Sequence, residues 1–221
     1  MTDNIWLSRL TLSTGGKSGA CSIDIDRKNI KDEVIEYKED TLPVEMEIHF
    51  DTIDMSGFQE ISLPILIKEL EEGRLRQGWG WKFDGLSTDL GKKNEEQWIT
   101  DFIKLQYRLF DEEVKCDYAC GRYKILKQML EMDKGDIIFI PRIPNNDSFT
   151  VAKVKGGYHF DSQDEWLSFC HVVDVEDIIS FKYKDHFVPK VFNPYQRAVN
   201  KIKVTHISYP IINEFLQNYY L

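Results

Sequence analysis

The sequence lacks any apolar run that approaches the roughly 20 residues needed by a membrane-spanning helix. Its N-terminus also lacks the basic stretch and apolar core that mark a secretory signal peptide. We therefore predict a cytoplasmic protein with no membrane partner. The 221 residues, of which 42% are hydrophobic and 29% charged, suffice for one buried core, so we expect a single domain over residues 1–221.

Cysteine is scarce. Cys21, Cys116, Cys120 and Cys170 are too few and too scattered for a disulfide framework. The spacing between Cys116 and Cys120 is wider than in a usual zinc knuckle, and the candidates for a second ligand pair, Cys170 and His171, are far along the chain. The histidines show no close metal-ligand pairing either. We predict free thiols and no metal site.

Familiar catalytic motifs are missing as well. The chain has no Gly-Lys-Ser/Thr phosphate loop, no G-x-S-x-G elbow and no G-x-G-x-x-G fingerprint, so no residue stands out for catalysis and we expect neither an enzyme nor a cofactor. One enzymatic alternative remains. Glu36-Tyr37-Lys38, preceded by Asp24 and Asp26, has the E-x-K form of a metal-dependent nuclease. Because this region lacks the strand pattern that would position such a site, a solvated charged stretch is the favoured interpretation.

Positive charge is in deficit, and the deficit is uneven. The formal net charge is −9; residues 1–120 carry 15 basic and 25 acidic side chains (−10), whereas residues 121–221 carry 13 and 12 (+1). Such a balance argues against a protein that coats nucleic acid non-specifically, but it leaves room for a local basic face in the second half. We interpret residues of about 22–72 as an acidic insertion.

Hydrophobic periodicity predicts strands near both ends of the chain with helices between them, which is typical of an α+β domain. Strands are expected at residues 5–10, 44–50, 136–140, 149–154, 171–175 and 178–183, with a turn at Gly156-Gly157. Helices are expected from a cap at Ser62 to a stop at Gly73, over residues 95–110 and 122–132, and in the C-terminal segment of about 193–221, at residues 195–204 and 210–220.

The most unusual stretch is Arg76-Gln77-Gly78-Trp79-Gly80-Trp81. Glycines beside tryptophans suit a place where a planar ligand approaches the backbone, which predicts a stacking surface. The alternative is that one tryptophan belongs to the core and its glycines form a bulge, and this alternative is favoured for either residue alone. Arg142, which follows a predicted strand, has two interpretations of equal weight: a contact to phosphate or carboxylate, or a solvated side chain.

Several pieces form an ordered pattern: Trp6-Leu7-Ser8-Arg9, then Gly78-Trp79-Gly80 with Leu86-Ser87, a helix that ends in residues 132–138, and then residues 149–161 and 171–175. In this order they resemble EVE-type domains of the PUA-like superfamily, to which YTH readers are related. Similar domains are attached to modification-dependent restriction proteins and other prokaryotic defence proteins.

The resemblance implies a small, partly open PUA-like β-barrel surrounded by helices, with an aromatic pocket for a flipped, modified base of DNA or RNA. It also implies a role in antiviral defence and leaves room for a separate effector protein. By position, the residues of the pocket would be Arg9, Trp79, Trp81, Pro141, Arg142, Tyr158 and Phe160, with Lys153 and Lys155 facing phosphates. The alternative function is a protein-interaction or small-molecule-sensing module whose acidic surface meets a basic partner.

Overall fold

A computed structural model of the protein describes residues 4–10, 55–162, 168–186, 188, 198–206 and 209–221, with the side chains of residues 55–62 excepted. The predicted strand at 44–50, the Glu36–Lys38 motif with its two aspartates, Cys21 and most of the acidic segment 22–72 lie outside the described residues. Within them, the fold is mixed α+β, as predicted. The elements are β1 (Ile5–Ser8), α1 (Met55–Glu71), β2 (Arg74–Gln77), β3 (Lys82–Phe83), β4 (Leu86–Ser87), α2 (Glu95–Phe110), α3 (Cys116–Leu126), β5 (Ile137–Pro141), β6 (Ser148–Phe160), β7 (His171–Lys182), β8 (Val199–Ile202) and α4 (Tyr209–Tyr219).

Six of the strands form one sheet in the order β2-β7-β6-β5-β1-β8, and the short β3 and β4 pair separately. β1 runs parallel to β5, and the other neighbours are antiparallel. The sheet curls into a half-barrel. Its curl brings the end of β2 to the end of β1, where the Gln77 amide donates hydrogen bonds to Ser8 Oγ at 2.8 Å and to the Arg9 carbonyl at 2.9 Å.

Both faces of the central strands are covered, which explains why those strands are apolar without alternation. On one face, Trp6 and Ile138 join a core with residues of α1, α2 and α3. On the other face, Leu7 and Phe139 join a second core with Phe215 of α4. The curled sheet is therefore packed between two helical layers.

Helix α2 has the predicted bounds, because its sequence carries its own start and stop signals. A capping box links Asn94 and Gln97, and Asp111 closes the helix in a left-handed conformation. Helix α1 differs from the prediction at its start. It begins at Met55, so Ser62 is not its cap and Pro64 lies inside the helix instead of in the first turn. Gly73, with φ of +89°, follows its end as predicted.

Four further predictions were wrong, the first three of them for tertiary reasons. β6 continues through Gly156-Gly157, where its register with β7 shifts, so these glycines form an irregularity within a strand and not a turn. β7 is one strand where two were expected. Residues 199–202 form β8 on the free edge of β1 instead of a helix. The helix predicted at residues 122–132 begins earlier, at Cys116, and is followed by a 3₁₀ turn at Lys127–Glu131. None of the described helices is long and apolar enough to cross a bilayer.

Candidate functional site

Two arginines come together beyond the ends of the parallel strands β1 and β5. Arg9 is half-buried and its N–H donates to the Ala198 carbonyl at 2.7 Å, while Arg142 is exposed. Burial lowers the pKa of Arg9, and the positive charge of Arg142 lowers it further. Within the described ranges, no carboxylate forms an ion pair with Arg142. We call Arg9 and Arg142 the arginine pair.

The hydroxyl of Tyr183 lies beside the arginine pair. It accepts a hydrogen bond from the backbone N–H of Arg142 at 3.3 Å. Burial raises the pKa of Tyr183, and the hydrogen bond from Arg142 and the charges of both arginines act in the opposite direction. The hydroxyl therefore lies in the positive field of both guanidinium groups. Such a field suits an oxyanion such as phosphate.

Backbone strain singles out two of the predicted site residues. Among the described residues, five that are not glycine have a positive φ, and three of them are aspartates. The other two are Trp79 (φ +64°) and Arg142 (φ +62°). The left-handed region costs a bulky residue about 1–2 kcal/mol. It persists at Trp79 because Thr88 Oγ1 donates to the Trp79 carbonyl at 3.1 Å and accepts from the Trp81 N–H at 2.8 Å.

The ring of Trp79 packs inside the protein. It is 9% exposed, and the guanidinium of Arg122 lies 4.5 Å from its ring centroid. Glycine is required at position 80 by packing and not by the approach of a ligand. A Cβ there would lie 2.8 Å from the Cβ of Cys170, because two chain segments meet at this point. The core interpretation therefore describes Trp79, and its flanking glycine serves packing.

Trp81 lies on the helical side of this loop. Its half-buried ring packs edge-on against Phe102 at 5.5 Å and Phe110 at 5.8 Å. These contacts hold Trp81 against α2, while part of the ring stays accessible.

Tyr158 and Phe160, at the end of β6, both pack against His171. The Tyr158 hydroxyl lies 2.9 Å from His171 Nδ1 and accepts from the Leu90 N–H at 3.2 Å, and the ring of Phe160 meets His171 edge-on at 5.3 Å. His171 is fully buried, which lowers its pKa to about 3 although the backbone of Trp79 acts in the opposite direction. Burial also raises the pKa of Tyr158. Neither group titrates near neutral pH, so the pair supports the Trp79 loop and does not supply acid–base chemistry.

The remaining predicted residues lie along β5 and β6. Pro141 is buried at the end of β5 opposite Phe149. Lys153 is half-buried and lies opposite Glu176 of β7, whereas Lys155 is exposed. Lys155 falls within the register shift between Val154 and Tyr158, so it has no partner position of its own on β7.

Sequence reasoning missed the buried charges around the site. Arg76 is almost fully buried and pairs with Glu69 of α1 at 2.8 Å and with Asp161 at 2.6 Å, while its Nη1 donates to the Phe169 carbonyl at 3.2 Å. It also missed the buried Arg122. The sequence marks Arg76 only as part of the Trp-Gly stretch and marks Arg122 only as a cation in a helix.

The three described cysteines, Cys116, Cys120 and Cys170, are buried and free of disulfides. Within the same residues, no three His, Cys, Asp or Glu side chains are grouped as a metal site would require. No protein-family model matches the chain, and neither curated proteins nor solved structures give a match.

Proposed function

We propose that the chain is a PUA-like, EVE-type module that binds a modified, flipped base in DNA or RNA and catalyses no reaction. The observation that carries the proposal is the strained backbone of Trp79 and Arg142. Strain of this kind clusters at binding sites, where the surrounding structure holds a side chain in place before the ligand arrives. Both residues belong to the set that the resemblance assigned to the pocket.

The arginine pair supports a nucleic-acid ligand in spite of the net charge of −9. Exposed charges farther apart than about 8 Å are largely screened at physiological ionic strength. A phosphate beside Arg9 and Arg142 therefore responds to these two guanidinium groups more than to the acidic surface elsewhere. Phosphate contacts position a nucleic acid without reading its sequence, so recognition of the base must come from aromatic groups.

The energetic requirement is moderate. Flipping a base costs a few kcal/mol, and stacking on an aromatic side chain returns about 1–3 kcal/mol. The half-buried rings of Trp81, Tyr158 and Phe160 supply the aromatic surface, and the buried ring of Trp79 anchors the loop that carries Trp81. The arginine pair supplies charge-assisted contacts, which provide the binding free energy that stacking alone does not.

The test is binding of labelled oligonucleotides with plain or modified bases, followed by fluorescence polarisation at low and moderate salt. We expect Arg142→Ala to weaken binding to every oligonucleotide, and Trp81→Leu, which removes a half-buried ring, to reduce the preference for the modified base. Lys134→Ala is the matched control, because it removes the same charge from an exposed site before β5 while Arg142 follows β5.

The contrary result is an unmodified protein that binds none of the oligonucleotides even at low salt. That outcome would reject the base-reader proposal. It would favour the alternative function, a module that binds a protein or senses a small molecule. Equal losses in Arg142→Ala and Lys134→Ala would show that only general electrostatic attraction is measured.

A further inference from the structure

Arg122, in the middle of α3, lies between two aromatic rings. Its guanidinium carbon is 4.5 Å from the ring centroid of Trp79 and 4.3 Å from that of Tyr118. Tyr118 precedes Arg122 by one helical turn, so the two side chains share a face of α3. The guanidinium of Arg122 thus contacts both rings, and the residue is only 5% exposed.

This buried cation has no anionic partner in the part of the chain that the structure describes. Its Nε is sealed from solvent and makes no hydrogen bond there, and no described carboxylate forms an ion pair with it. Burying a charge without a partner is costly, because the protein interior solvates it poorly. The contacts with the two aromatic rings offset only part of that cost.

Arg76 provides the internal comparison. It is buried to a similar degree, but two carboxylates and a backbone carbonyl satisfy its guanidinium. Arg76, which connects α1 to the sheet, is thus buried together with the groups that neutralise and hydrogen-bond it. Among the described residues, by contrast, none accepts a hydrogen bond from Arg122, and its Nε is left without an acceptor.

We propose that Arg122 binds a phosphate oxyanion, with Trp79 and Tyr118 fixing the plane of its guanidinium. A guanidinium that packs against aromatic rings keeps its edge for two parallel N–H···O bonds, and a phosphate offers the matching pair of oxygens. Tyr118 is 37% exposed, so this group of side chains lies close to the protein surface. The inference rests on the proposed function, to which it adds a second phosphate position and the residues Arg122 and Tyr118.

The test is thermal unfolding of the full chain in chloride and in inorganic phosphate at equal ionic strength and pH 7.5. At a phosphate concentration of about five times Kd, we expect the Tm of the unmodified protein to rise by about 2–4 °C. Arg122→Met, which keeps the length of the side chain and its apolar contacts, should lose the part of this rise that does not come from the arginine pair. In chloride it should melt at the same temperature as the unmodified protein or above it. Arg122→Lys should keep a smaller rise, because an ammonium lacks the planar fork.

Arg142→Met is the matched variant, because it removes an arginine of the other phosphate position. A phosphate response that persists in full in Arg122→Met and disappears in Arg142→Met overturns the inference and leaves the proposed function standing. A chloride Tm of Arg122→Met far below that of the unmodified protein also overturns it, because the arginine would then be structural. If oligonucleotides fail to bind but Arg122→Met still reduces the phosphate response, the anion site stands and the base-reader proposal falls.

Discussion

The buried histidine makes the stability of the protein depend on pH in a defined range. His171 is fully buried with its Nδ1 2.9 Å from the Tyr158 hydroxyl, and burial lowers its pKa to about 3. In the unfolded chain the pKa of histidine is about 6.5. Below pH 6.5 the unfolded state therefore binds a proton that the folded state does not. His171 stabilises the fold above pH 6.5, and this contribution is lost as the pH falls toward 3.

The magnitude follows from the two pKa values. Each pH unit between them costs about 1.4 kcal/mol, so lowering the pH from 7.5 to 4.5 should reduce the free energy of unfolding by about 2–3 kcal/mol through this one residue. The hydrogen bond with Tyr158 holds the neutral imidazole in place. A buried imidazolium would lose the Nδ1 acceptor that the Tyr158 hydroxyl faces.

The assay is urea unfolding at several pH values for the unmodified protein and for His171→Asn. Asparagine cannot take up a proton in this range, and its side-chain carbonyl can still accept from Tyr158. The substitution should cost stability at pH 7.5, and this cost should shrink by about 2–3 kcal/mol at pH 4.5, because the variant lacks the linkage to pH. Carboxylates elsewhere affect both proteins equally and cancel in the difference. A difference between the two proteins that stays constant from pH 7.5 to 4.5 would refute the reasoning.

Three further substitutions test local features by urea unfolding. Arg142→Gly should be about 1 kcal/mol more stable than Arg142→Ala, because glycine adopts φ of +62° without strain; equal stabilities would contradict the strain. Asp136→Asn should cost about 1–3 kcal/mol, since the carboxylate accepts from Trp6 Nε1 at 2.7 Å and from two backbone N–H groups. Glu69→Gln should cost about 3 kcal/mol by leaving Arg76 incompletely paired, and replacing Glu69 and Arg76 together by Met should cost less; the reverse order would speak against the buried pair as the cause.

The elements that sequence reasoning predicted well are those whose signals are local. Helix α2 has the predicted bounds because Asn94 and Gln97 cap it and its apolar stripe is continuous. β5 follows a glycine and is apolar throughout, since both its faces are covered. The predictions failed where tertiary pairing decides. The polar edge strand β8 forms because it pairs with the free edge of β1. Gly156-Gly157 is part of β6 because the residues on both sides pair with β7.

In the candidate site, too, the features that the sequence did not predict depend on tertiary contacts. Arg9 and Arg142 follow two strands that are parallel neighbours, so their proximity depends on a pairing across 130 residues that periodicity alone does not reveal. The left-handed backbone of Trp79 and Arg142 has no signal in the sequence, because such positions are usually predicted from glycine or asparagine. The stack of Tyr118, Arg122 and Trp79 combines a helix with a distant loop. What the sequence offered there was the unusual composition of the Trp79 loop.

The salt dependence of binding distinguishes how many of the predicted cations touch the nucleic acid. Each phosphate contact on a single strand contributes about −0.7 to the slope of log K against log salt concentration. The arginine pair alone therefore gives a slope of about −1.4, and Lys153 and Lys155 together with the pair give about −2.8. We expect the smaller slope for a strand short enough to reach the arginine pair and not Arg122, because Lys153 lies opposite Glu176 on β7 and neither lysine lies at the end of β5. Lys155→Ala should then leave the slope unchanged, whereas Arg142→Ala should reduce it by about half. A steeper slope that Lys155→Ala reduces would extend the binding surface along β6 and displace the arginine pair from its centre.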